Sequence, residues 1–204
     1  DILLARNGVD LSPFTQVTGT RSQIRASLKL PENKKIVMYT GHLYDWKGAH
    51  VLLEAARSLA QSLVVFIGGT AADAEKYTKK ARSSGIDNAL FLGHQPHKSI
   101  PRYLKSADVL VLPNTSSSPE SQLYTSPIKL FEYMASNSPI VASSLPSIKE
   151  IANESLVLFV QPDKPQDLAE GISNLLNNPE LSASLATNAK AEVEQYTWSR
   201  RCLL

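Results

Sequence analysis

Short runs of apolar and β-branched residues recur along the chain at 36–40, 63–67, 89–92, 108–112, 139–143 and 156–160, each bounded by Gly, Pro, Asn or Ser. This pattern predicts six buried strands. Leu63-Val64-Val65-Phe66-Ile67 and Val109-Leu110-Val111-Leu112 show no polar alternation, so both of their faces need cover. Between the runs lie segments of helical character at 48–62, 72–84, 97–105, 127–135 and 146–151. After the last strand the pattern is wholly helical, at 165–176, 179–195 and 197–204. Strand and helix in alternation predict an α/β fold, a Rossmann-like, doubly wound, mostly parallel six-stranded sheet with helices on both faces.

In such a sheet, ligands bind beyond the carboxyl ends of the strands where the strand order reverses, commonly between the first and fourth strands. Two loops then draw attention: Gly41-His42-Leu43-Tyr44-Asp45-Trp46-Lys47-Gly48 after the first strand, and 113–126 after the fourth. Neither G-x-G-x-x-G nor G-x-x-x-x-G-K-[ST] occurs, which removes a standard dinucleotide fingerprint and a P-loop.

Composition narrows the class. The 204 residues are 43% hydrophobic and 20% charged, typical of a globular protein with a full core. No apolar stretch approaches the roughly 20 residues of a membrane span, and the first residues do not form a secretory signal. The lone Cys202 cannot form an internal disulfide, so the expectation is a soluble cytosolic protein. The net charge of +2 divides unevenly, with 15 Lys and Arg against 8 Asp and Glu in residues 1–105, and 6 against 11 thereafter. The basic half suits an anionic ligand, an acidic membrane surface met peripherally, or simply solvated helix faces. Lys34-Lys35 and Lys79-Lys80 with Arg82 lack interleaved aromatic residues, so no nucleic-acid partner is expected.

The residue chemistry points to phosphate and ribose. Gly41 lets backbone approach a ligand closely, and Lys47 stands before Gly48 where free helix amides favour an anion. His42 adds a donor or a second charge; the alternative is a tight turn with a solvated lysine and a packed Trp46. Ser126 is a favoured N-cap and Pro127 a favoured first residue for a helix that is apolar on nearly every side. Glu132, two turns in, needs a partner there, either a ribose diol or a lysine or capping amides. Gly68-Gly69 and Gly93 close strands on the ligand side, and Gly93-His94-Gln95-Pro96 can line a base pocket. His94 and His97 have no third ligand nearby, so they read as loop histidines and no metal is expected. No Ser/His/Asp order or cysteine nucleophile stands out.

Together, Asn7-Gly8-Val9-Asp10, Gly41-His42 with Lys47-Gly48, Leu52-Leu53-Glu54-Ala55-Ala56, Leu90-Phe91-Leu92-Gly93, Ala107-Asp108-Val109-Leu110-Val111-Leu112-Pro113, Ser126-Pro127-x-Lys129-Leu130-Phe131-Glu132-Tyr133-Met134-Ala135 and Pro139-Ile140-Val141-Ala142-Ser143 resemble the carboxyl-terminal half of retaining glycosyltransferases of family four, which have the GT-B fold. The resemblance implies a domain that binds a nucleotide-diphosphate sugar, with the acceptor held by an amino-terminal domain absent from this chain. It implies that Lys47 contacts the diphosphate, that Glu132 grips the ribose, and that Thr125-Ser126-Pro127 cradle phosphates and sugar. The donor-contact set it implies also takes in Gly41, His42, Gly69, Gly93, His94, Asn114, Tyr124 and Ile128. Lys47, His42 and Glu132 carry the catalytic expectation, with charge growing on the leaving diphosphate and no metal or other cofactor required.

Two positions depart from the family pattern. Tyr124 stands where the first glutamate of E-x7-E belongs, and His42 where a basic residue, often arginine, is expected. Glu120 can replace that glutamate only if the serine-rich loop bends. These departures also suit a binding module without turnover, and a nucleotide-sugar epimerase shares the architecture. Residues 1–12 are expected to be a linker or last strand from the absent domain, 13–195 the donor-binding domain, and 196–204 the start of a closing helix. On that expectation the chain alone binds donor and has little or no transferase activity.

Overall fold

The computed structural model describes residues 7–124 and 128–201, with only the backbone described at Tyr124. Strands β1 (Lys35–Thr40), β2 (Ser62–Ile67), β3 (Ala89–Phe91), β4 (Val109–Leu112), β5 (Ile140–Ser143) and β6 (Leu158–Val160) form one sheet in the order β3-β2-β1-β4-β5-β6. Every pairing is parallel, so the expected fold is observed without an antiparallel exception. The order reverses between β1 and β4, where Val37 pairs with Val109 and Met38 with Leu110.

The helices are α1 (Ser12–Thr15), α2 (Arg21–Ser27), α3 (Ala49–Ala55), α4 (Ala71–Ser83), α5 (Ile100–Ser106), α6 (Ile128–Ala135), α7 (Pro146–Lys149), α8 (Pro165–Asn177), α9 (Pro179–Glu192) and α10 (Trp198–Arg201). Strand periodicity divides the core in two. Ile36, Met38, Leu110, Leu112 and Ile140 join Leu104 of α5 and Phe131 of α6 on one face; Val37, Tyr39, Phe66, Val109 and Val111 join Leu52 of α3, Tyr77 of α4 and Ile172 of α8 on the other. Both faces are covered, which is why the strand sequences are apolar at successive positions.

Several boundaries move for physical reasons. The helix expected over 48–62 ends at Ala55 and closes through the 3₁₀ turn Ala56–Ser58, because Ser62 already pairs with Lys35 in the sheet. The Asn88 side chain donates to the carbonyls of Ala56 and Leu59, at 3.0 and 2.9 Å, satisfying acceptors that the ended helix leaves open. Asp108, expected within a strand, instead precedes β4. Its carboxylate accepts from the Ile36 amide at 2.7 Å, Arg25 at 2.6 Å and Arg21 at 3.1 Å, tying α2 to the amino ends of the two central strands. Helix α2 was absent from the strand-and-helix pattern, yet Thr20-x-x-Gln23 is its signal: the Thr20 side chain and Gln23 form a reciprocal capping box. Val9 pairs with Thr197 in an isolated parallel bridge, bringing the two ends of the described chain together.

Candidate functional site

The loops that leave β1 and β4 are joined where the strand order reverses. Gly48 has φ +73°, and a Cβ there would lie 1.7 Å from the carbonyl oxygen of Pro113. Only a residue without a side chain permits this contact. Close by, the Thr115 amide donates to the carbonyl of Trp46 at 3.1 Å. The two stretches singled out by the switch-point rule therefore form one rim.

Helix α6 closes that rim from the other side. The Tyr133 hydroxyl is buried and accepts from the Thr40 amide at 2.8 Å and from the Thr40 hydroxyl at 3.3 Å, which fixes the helix over the end of β1. Leu130, Phe131, Tyr133 and Met134 take the core side, leaving Lys129 and Glu132 to line a cleft of about 280 Å³. Its other walls are Thr40, Gly41 and His42 after β1, Gly68 and Gly69 after β2, and His94 and Gln95 after β3.

Lys129 lies against the main chain where β1 ends: a Cβ on Gly41, which has φ +136°, would be 2.4 Å from its Nζ. The ammonium donates to the Tyr39 hydroxyl at 3.3 Å and sits 4.3 Å from that ring's centroid, while the same hydroxyl donates to the His42 carbonyl at 2.6 Å. Burial pushes the Lys129 ammonium well below its ordinary pKa, the charge of Lys47 pushes it further down, and Glu132 partly opposes both. Lys47 is half-buried, with its Nζ 3.8 Å from the Trp46 ring centroid, and burial lowers its pKa to about 8. Burial likewise holds the Tyr39 and Tyr133 hydroxyls above their ordinary values, so both stay neutral.

Glu132 is mostly buried, and its Oε1 lies 3.0 Å from Nε2 of the exposed His97. The partner that the sequence left open is thus a histidine read there as a plain loop residue. His42 lines the cleft with its ring stacked on Tyr44, centroids 4.9 Å apart and planes 8° from parallel.

Gly41, His42, Gly69, His94 and Glu132 meet around this one cleft. Lys47 stands beside it and acts on Lys129 through its charge. Gly93 supports the floor by accepting the Gly68 amide at 2.7 Å; Asn114 is buried in the rim and Ile128 is exposed. Thr125, Ser126, Pro127 and the Tyr124 side chain lie outside the described residues, as do 1–6 and Cys202. Glu120 opens a π-helical turn, Glu120–Tyr124, within the serine-rich loop. Lys129, His97, Thr40 and Tyr133 were not assigned from sequence. The one available signal was a lysine in an otherwise apolar helix, three residues before the glutamate.

Two further hollows exceed 300 Å³. One of about 340 Å³ is at the opposite end of the strands, against the Arg21–Asp108 pair that holds α2. Another, about 580 Å³, adjoins the cleft through His97 and is walled by Pro13, residues 16–18, Lys98 and Arg102. Neither combines a part-buried lysine with a carboxylate at the carboxyl ends of the strands, so the smaller cleft is the better candidate. Among the described residues, no group of three His, Cys, Asp or Glu is placed to hold a metal ion, and no helix is long and apolar enough to cross a membrane.

The D-inositol 3-phosphate glycosyltransferase of Corynebacterium urealyticum is 26% identical over 210 residues, covering 97% of this chain and 48% of that protein. Among solved structures, sucrose-phosphate synthase from Thermosynechococcus elongatus matches with a TM-score of 0.84 at 25% identity, over 98% of this chain and 50% of that one. Anabaena HepE in complex with UDP-glucose has the same fold, with a TM-score of 0.78 at 23% identity, over 93% of this chain and 51% of that one. The chain therefore spans about half the length of these relatives. The model of glycosyl transferases group 1 matches residues 20–192, a stretch that carries both rim loops and the helix bearing Lys129 and Glu132, and the chain belongs to that family.

Proposed function

We propose that this chain is the donor-binding half of a glycosyltransferase that moves a sugar from a nucleotide-diphosphate sugar to an acceptor with retention of configuration. The observation that carries the reading is the grouping of charge about one cleft: Lys129 lines it with Lys47 beside it, and the Glu132 carboxylate, one turn along α6 from Lys129, meets His97. Such a cleft matches a diphosphate at the lysines and a ribose diol at the carboxylate. HepE, similar in fold, is a protein whose structure holds UDP-glucose.

In this reading the cations stabilise charge that grows on the leaving diphosphate, an interaction stronger in the transition state than in the bound donor. The leaving diphosphate takes the proton of the acceptor hydroxyl as the new glycosidic bond forms. No metal is required, the location is cytosolic, and the acceptor, a glycan, lipid or small molecule, is held by a further domain. Tyr124 in place of a carboxylate favours a second reading, a nucleotide-sugar binding module without turnover.

Ligand-observed NMR of this chain with UDP-, GDP- and ADP-sugars tests the donor site, and absence of binding by all of them overturns it. Sugar transfer and donor hydrolysis, assayed separately on a protein that includes the acceptor half, divide the two readings.

A further inference from the structure

We propose that Lys129 is a diphosphate-binding residue, forming with Lys47 a two-lysine seat for the donor's phosphates; this rests on the donor-binding reading above. Among the described residues, no carboxylate lies within ion-pair distance of Lys129, and its ammonium donates to the neutral Tyr39 hydroxyl at 3.3 Å. Glu132, one turn along the same helix, is engaged by His97 instead. A second cation, Lys47, is close enough to press on Lys129 electrostatically. Two partly buried like charges beside a cleft are costly unless an anion joins them.

The position of the ammonium also fits the task. It lies against Gly41, so close that a side chain there would collide with it, and it faces the cleft from the first turn of α6. The neighbouring His42 has its ring stacked on Tyr44. Lys129 thus brings a charge from α6 to the place where the β1 loop carries a histidine. A lysine held by a neutral hydroxyl and a ring face keeps donors for phosphate oxygens.

The test compares wild type, Lys129→Met and Lys129→Arg by calorimetry. The probes are UDP, GDP and ADP, the nucleoside of whichever binds best, and inorganic pyrophosphate. Losing one charge-assisted contact should weaken the nucleoside diphosphate and pyrophosphate about tenfold or more, with the nucleoside unchanged. Lys129→Arg should keep most of the affinity. If wild type binds no nucleoside diphosphate, the donor reading itself fails. If wild type binds and Lys129→Met binds diphosphate equally well, the donor reading stands and the assignment of Lys129 is overturned. Should Lys129→Met not fold, the wild-type ¹³Cε resonance of Lys129, assigned from its loss in Lys129→Arg, must move on addition of pyrophosphate; an unmoved signal overturns the proposal.

Discussion

Oε1 of Glu132 lies 3.0 Å from Nε2 of His97, so the carboxylate expected to meet a ribose is already in contact with a side chain that is 85% exposed. A ribose diol and this imidazole then compete for one oxygen. Glu132→Gln keeps the shape and removes the anion, and should weaken nucleotide binding about tenfold. It should also erase the preference for a ribonucleotide over its 2′-deoxy form. Titration calorimetry with both nucleotides measures this, and an unchanged preference would place the ribose elsewhere. His97→Ala should leave ribonucleotide affinity equal or higher, since it only releases a competitor.

The pH dependence of donor binding follows from the lysines. Lys47 in the free protein loses its proton near pH 8, because burial disfavours its charged form. A bound diphosphate favours that charged form and raises the pKa again. Binding therefore takes up a proton above about pH 8, and affinity should fall as pH rises through and beyond that value. Lys129, displaced in the same direction by burial and by Lys47, extends the window to lower pH, with Glu132 acting against it. Calorimetry in buffers of different ionisation enthalpy reads the uptake directly; constant affinity with no proton uptake from about pH 7 to 9.5 would contradict the model of a lysine-lined phosphate seat.

Gly48→Ala tests the joint between the two rim loops. The change places an alanine at φ +73° and its Cβ 1.7 Å from the Pro113 oxygen. Backbone strain alone costs about 1–3 kcal/mol, and relief of the collision requires the loops to separate. Urea denaturation should show at least that loss. Nucleotide binding should be lost even in the fraction that stays folded, because Lys47 adjoins the displaced residue.

Asp108→Ala should separate stability from binding. The carboxylate gathers the Ile36 amide, Arg25 and Arg21, and Arg25 is almost wholly buried. Removing it leaves a buried guanidinium without its counter-charge, a change that costs about 3–5 kcal/mol. Since Asp108 stands at the amino ends of the strands, away from the cleft, nucleotide affinity of the folded protein should be unchanged. A lowered urea midpoint with normal binding is the expected pair of results.

Much of the architecture was legible because strands covered on both faces must be apolar throughout, and such runs are visible without knowing their neighbours. The pair of loops at the switch point followed from strand order, and the observed order bears out that placement. Helix α2 escaped notice because a short segment with a weak apolar stripe is declared mainly by its cap, Thr20 with Gln23. The long helix expected over 48–62 was shortened by sheet pairing, a demand that helical periodicity does not register.

The alternating elements, the doubly wound sheet, the pair of loops at the switch point and the presence of a carboxylate on a mostly apolar helix could all be read from the chain alone. These depend on local spacing and on the cost of exposing apolar residues. Only the tertiary structure decided which charges meet: Lys129 against Gly41 and near Lys47, and His97 on Glu132. Those encounters join residues far apart in the chain, and the Tyr133–Thr40 hydrogen bond sets them by holding α6 over the end of β1. Spacing along a chain specifies which face a residue takes, whereas the electrostatics of a cleft depend on distances across it.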